Sequence, residues 1–121
     1  MLKLILVFVG GGLGSLLRYS FSLLVASPNN TMPFATFLAN VVACFCVGVL
    51  SNMATKNLLS LELRLLLVTG FCGGFSTFST FSNETLLLLE AGKIGAALLY
   101  STISVVACLA SVWLGYFMTT K

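Results

Sequence analysis

The chain has 121 residues, of which 59% are hydrophobic and 7% charged, with a formal net charge of +3 and a mean hydropathy of +1.10. A soluble surface needs about 25% charged residues, so lipid must cover most of this protein. The three acidic residues are all glutamates and there is no His, which removes the parts of a Ser-His-Asp triad, a carboxylate dyad or a His/Asp metal site, and the net charge is too small to suggest nucleic acid.

In hydrocarbon every backbone N–H and C=O must be satisfied internally, and continuous apolar runs of about 20 residues without alternation select helices over barrel strands. Apolar runs read against turn signals predict four spans, at 2–26, 33–55, 63–90 and 92–119, with loops at 27–31, 56–61 and 91–93. These consume the whole chain, 1–121, as one all-α membrane domain. Lys3 followed by 4–9 resembles the start of a signal peptide, but Arg18 and the glycines at 10, 11, 12 and 14 interrupt that reading, so the segment is kept as a mature first span. An even number of spans puts both termini on one side. Lys3, Lys56, Arg64 and Lys121 outnumber Lys93 and Arg18, which favours cytoplasmic termini.

On the first span, Gly10 and Gly14, and Gly11 and Ser15, are spaced for close helix approach, as are Cys44 with Gly48 on the second and Ala107, Ser111 and Gly115 on the fourth. Arg18 stands two thirds of the way along the first span. It either snorkels to the nearer interface or faces a watery vestibule and draws anions in. As the only strong cation near hydrocarbon it tilts the expected ligand toward negative charge.

Polar side chains inside a span are functional candidates by default. Thr36 and Asn40, four apart, share a face of the second span, and the Asn40 amide has more donors and acceptors than its own helix can satisfy. On the fourth span Ser101, Ser104, Cys108 and Ser111 form a hydroxyl and thiol stripe, although Ser and Thr can also bond back to their own helix carbonyls. Cys44, Cys46, Cys72 and Cys108 all fall inside spans, as small packing residues rather than disulfide or zinc ligands.

The third span carries Gly70-Phe71-Cys72-Gly73-Gly74-Phe75-Ser76-Thr77-Phe78-Ser79-Thr80-Phe81. Two adjacent glycines cost about 1 kcal/mol each relative to Ala, and the hydroxyls that follow compete for backbone bonds. This predicts a helix broken near the bilayer centre, at 73–77. Such a break is tolerated only inside protein or beside an ion, and a hard monovalent cation held by freed carbonyls would need no acidic side chain. Phe78 and Phe81 project from one face beside the break. Aromatic rings have a positive edge, so rings turned edge-on can stabilise an anion that has shed water.

With that block, segment 11–19 and segment 34–40, the chain resembles the Fluc (CrcB-type) fluoride channels over essentially its whole length. The resemblance implies an antiparallel, dual-topology dimer in the cell membrane with two fluoride pores at the subunit interface. The second copy would be this chain or an oppositely oriented paralogue. It further implies that Phe78 and Phe81 meet the dehydrated anion, that Asn40 is the pore amide, and that Ser79 and Thr80 line the adjacent polar track. Ser104 and Cys108 stand where relatives carry hydrogen-bonding residues on the fourth helix, and Arg18 stands at the vestibule. Gly73 and Ser76 would supply backbone carbonyls to a structural sodium ion. The implied activity is passive fluoride export, lowering cytoplasmic fluoride that entered as HF, with no enzymatic step, soluble substrate or nucleic acid.

Two rival readings have different signatures. A small four-span multidrug or cation exporter needs a membrane-embedded acid in its first helix, whereas the acids here are Glu62, Glu84 and Glu90. A non-transporting membrane subunit would scatter its polar residues without common phase.

Overall fold

The computed structural model describes residues 1–25 and 32–120. The expected first loop at 27–31, the end of the first span at Ala26, and Lys121 lie outside the described residues. All regular structure among the described residues is helical. Helix α1 spans Leu2–Val25 and α2 spans Phe34–Thr55. Helix α3 runs over 61–75, helix α4 over Phe78–Glu90 and helix α5 over Ile94–Met118. Leu2–Val25, Phe34–Thr55, Leu61–Glu90 and Ile94–Met118 are each long and apolar enough to cross a membrane. At 1.5 Å per residue even the 22 residues of α2 extend about 33 Å, enough for a hydrocarbon core of about 30 Å.

The ends follow local chemistry and shift the expected boundaries by one or two residues. Ser60 caps α3, its hydroxyl accepting from the Leu63 N–H at 3.3 Å, so the third span begins at Leu61 rather than at 63. Gly92, with φ +73°, ends α4: the Gly92 N–H donates to the Leu89 carbonyl and the Lys93 N–H to the Leu88 carbonyl, both at 2.9 Å. Asn57, with φ 56°, closes α2 in the same manner through Met53 and Ala54. Residues 91–93 are therefore a tight turn, and the last span begins at Ile94.

Two helix pairs are fused through small residues. Along α1 and α3, a Cβ on Gly14 would come within 2.7 Å of the Phe75 N, and one on Gly74 within 2.9 Å of the Gly11 Cα. Along α2 and α5, a Cβ on Gly48 would lie 2.9 Å from the Tyr116 N, and one on Gly115 3.1 Å from the Val49 N. Without side chains between them the backbones approach and gain dispersion contacts that lipid tails cannot match. The buried centre between these pairs is Ala39, Ala43 and Phe75, against which Phe21 packs edge-on at 5.3 Å. A second buried cluster, Leu88, Ala97 and Tyr100, joins α4 to α5.

The third span departs from regularity twice. Leu65–Cys72 winds as a π-helix, a rare geometry that no residue in this segment signals. The chain then leaves the helix altogether at Ser76 (φ −75°, ψ 155°) and Thr77 (φ −152°, ψ 118°) before α4 begins. The break falls within 73–77 as expected, but Gly73 and Gly74 themselves remain helical. Gly74 serves the close approach to α1, and the hydroxyl residues make the interruption.

Candidate functional site

Thr77 sits at the centre of the break, held from both sides. Its N–H donates to the Asn40 Oδ1 at 2.7 Å, and its carbonyl accepts from the Asn40 Nδ2 at 3.2 Å. One amide on α2 thus satisfies both backbone groups of an extended residue inside the span. Thr77 also caps α4: its Oγ1 accepts from the Thr80 N–H at 3.2 Å and lies 3.1 Å from the Thr80 Oγ1 and 3.2 Å from the Ser79 Oγ. The Ser76 hydroxyl turns back onto the Cys72 carbonyl at 2.9 Å, the local bond expected of a serine at a helix end.

These diversions have a consequence for the carbonyls. In a continuous helix the Thr77 N–H would serve Gly73 and the Thr80 N–H would serve Ser76. Both donors are engaged elsewhere, by Asn40 and by Thr77. The Gly74 carbonyl is compensated differently, by the Arg18 Nε at 3.3 Å and the Ser15 hydroxyl at 3.4 Å. The described residues contain no cluster of three or more His, Cys, Asp or Glu side chains fit for a metal.

On the α5 side the break opens into a recess of about 240 Å³, lined among others by Asn40, Ser76, Phe78, Phe81, Ser104 and Cys108. The structure thus gathers six of the sequence candidates. The rings of Phe78 and Phe81 are 5.5 Å apart and inclined at 41°. Phe81 is half-buried against Tyr100, at 5.2 Å, whereas Phe78 is 78% exposed. Ser104 is 5% exposed, on the lining, and its Oγ is buried. Ser79 and Thr80 are not on the lining and face the Thr77 hydroxyl. Arg18 is apart from the recess, half-buried on the α1 side of the break, and Gly73 is exposed beside it. Ser111 donates to the Val41 carbonyl at 2.8 Å, a helix-to-helix tie rather than a lining contact.

Sequence reasoning missed four participants. Thr77, Cys44 and Val105 also line the recess. Glu84 joins α2 to α5 across α4: its Oε1 accepts from the Thr36 hydroxyl at 2.7 Å and its Oε2 from the Tyr100 hydroxyl at 2.9 Å. The signal was available, because Thr36 shares the Asn40 face and Glu84 is an acid within a span, a position that demands partners.

A family model, that of CrcB-like proteins (Camphor Resistance, CrcB), matches residues 5–116. The chain is 43% identical over 119 residues to the fluoride-specific ion channel FluC of Azobacteroides pseudotrichonymphae, covering 97% of this chain and 95% of that protein. It is 40% identical over 120 residues to FluC of Phocaeicola vulgatus, covering 98% and 99% respectively. Against FluC of Flavobacterium psychrophilum the identity is 40% over 117 residues, covering 95% and 94%.

Proposed function

The chain belongs to the CrcB family of membrane channels, which are not enzymes, and from that premise we propose that it is a passive, fluoride-selective channel that lowers cytoplasmic fluoride. Two copies pair antiparallel, this chain with itself or with an oppositely oriented paralogue, and enclose two pores along their interface. Each copy is one membrane domain over 1–121. The observation that carries this reading is the recess beside the break, where Asn40, Ser104, Phe78 and Phe81 converge.

Fluoride is small and holds its water tightly, so a pore must replace that water with several convergent donors. We assign the Ser104 side chain, on the lining, as one. The positive edges of Phe78 and Phe81 are others. Asn40 sets the position of α4, and with it both rings, through its two bonds to Thr77. Glu84, engaged by two hydroxyls, holds the rest of α4 between α2 and α5. Cys108 extends the lining toward the far end, Ser79 and Thr80 form the adjacent polar track, and Arg18 attracts anions at the vestibule. A single copy leaves the recess open and Phe78 mostly uncovered, which is the reason a second copy is part of the reading.

The carbonyls of Gly73 and Ser76, relieved of their usual donors, are the ligands we assign to a structural sodium ion shared between copies. When bound, that ion supplies positive charge that replaces the missing N–H groups and fixes the break. No proton-relay carboxylate is needed, and conduction is electrodiffusive.

Purified protein in liposomes under an imposed potential should release fluoride and retain chloride. Equal release of the two anions, or release of neither, would remove the assignment.

A further inference from the structure

Cys44 and Cys108 are the two thiols on the lining of the recess among the described residues, and neither has a part in the Asn40 clamp or the carbonyl set. They come from α2 and α5, the helix pair fused at Gly48 and Gly115, and both line the same recess. Both are half-buried and free. Cys72, by contrast, is buried, and Cys46 is off the lining. Ser104 lines the same space, one helical turn from Cys108.

We propose that Cys44 and Cys108 form a dithiol site for a soft metal cation of the two-coordinate kind, such as Hg(II), Ag(I) or Cu(I), and that its occupation closes the recess. Thiolate sulfur selects soft cations, and two sulfurs contributed by adjacent helices to one recess suit ions that accept two-coordinate binding. With HgCl2 the step is balanced by substitution: each thiol gives up a proton, two S–Hg bonds form, and two chloride ions leave. The product is neutral, so it can persist in a low-dielectric wall, and it stands beside Ser104 where an anion would pass. Closure rests on the recess being the anion path, whereas metal binding does not.

The test uses the full-length protein with HgCl2 as probe. The expected result is one Hg(II) per chain, release of two protons, the ultraviolet charge-transfer absorption of a mercury bis-thiolate, and about a tenfold loss of fluoride efflux reversed by a small dithiol. Cys44→Ser and Cys108→Ser should each abolish the bis-thiolate signal, while Cys46→Ser, changing a thiol off the lining, should keep it. A bis-thiolate signal that survives Cys44→Ser or Cys108→Ser would overturn the site. A signal that requires both cysteines, with undiminished efflux, would keep the metal site and overturn closure together with the assignment of the recess as the anion path.

Discussion

Asn40 accepts from the Thr77 N–H and donates to the Thr77 carbonyl, so Asn40→Ala strips partners from two peptide groups at once, deep in a span. A buried polar group left unmade costs about 1–3 kcal/mol. At the lower end of that range for each of the two groups, the expected loss for the pair is about 2 kcal/mol. Denaturant unfolding in detergent would measure it, and an unchanged midpoint would mean that the break does not depend on the amide. Phe81 carries a different expectation, because Phe81→Ile retains an apolar side chain while removing the ring. The swap removes ring volume and the contacts with Phe78 and Tyr100, at a cost of about 1–3 kcal/mol, and a variant verified as assembled should lose about tenfold or more in fluoride current. A current equal to the parent's in a properly assembled Phe81→Ile channel would contradict contact between that ring and the permeant ion.

At the scale of helices, the glycines separate into those that permit approach and those that face open space. A Cβ on Gly14 would come within 2.7 Å of the Phe75 N, whereas one on Gly12 would meet nothing within 4 Å. Gly14→Ala should therefore push α1 from α3 and lower the unfolding midpoint by about 1–3 kcal/mol. Gly12→Ala should be neutral or gain a few tenths through helix propensity, at most about 1 kcal/mol. Equal effects at the two positions would show that α1 and α3 are not held by backbone proximity. This distinction also marks what was legible in the chain. Span positions followed from apolar length, and the break followed from hydroxyl residues after glycine, because those signals are local. The role of Gly74 was not legible in the same way: the sequence suggests a helix breaker, while its actual surroundings depend on where Gly11 lies across the interface. The π winding of Leu65–Cys72 has no local marker of its own. Glu84 was readable only as an acid needing partners, for its hydroxyl donors sit 48 and 16 residues away in sequence.

For the whole molecule the proposed cation and second copy would both be coupled to the break. Asn40 and Thr77 divert the two N–H groups that would occupy the Gly73 and Ser76 carbonyls. That diversion stabilises α4 at its cap but leaves acceptors in a low-dielectric region, where they favour a cation more strongly than water would. If the ion joins two copies, replacing sodium by a bulky organic cation should both reduce fluoride efflux and shift the protein from dimer toward monomer. Under the same scheme Asn40→Ala releases the Thr77 backbone that positions the Gly73 and Ser76 carbonyls, which weakens the ion's site. The variant should consequently need more sodium for half-maximal efflux, by about three- to tenfold for a contribution near 1 kcal/mol. Sodium titration of efflux, with dimer content measured on the same samples, tests the coupling directly. If parent and Asn40→Ala respond to sodium identically, or if neither responds, the carbonyls at the break are not the ion's ligands.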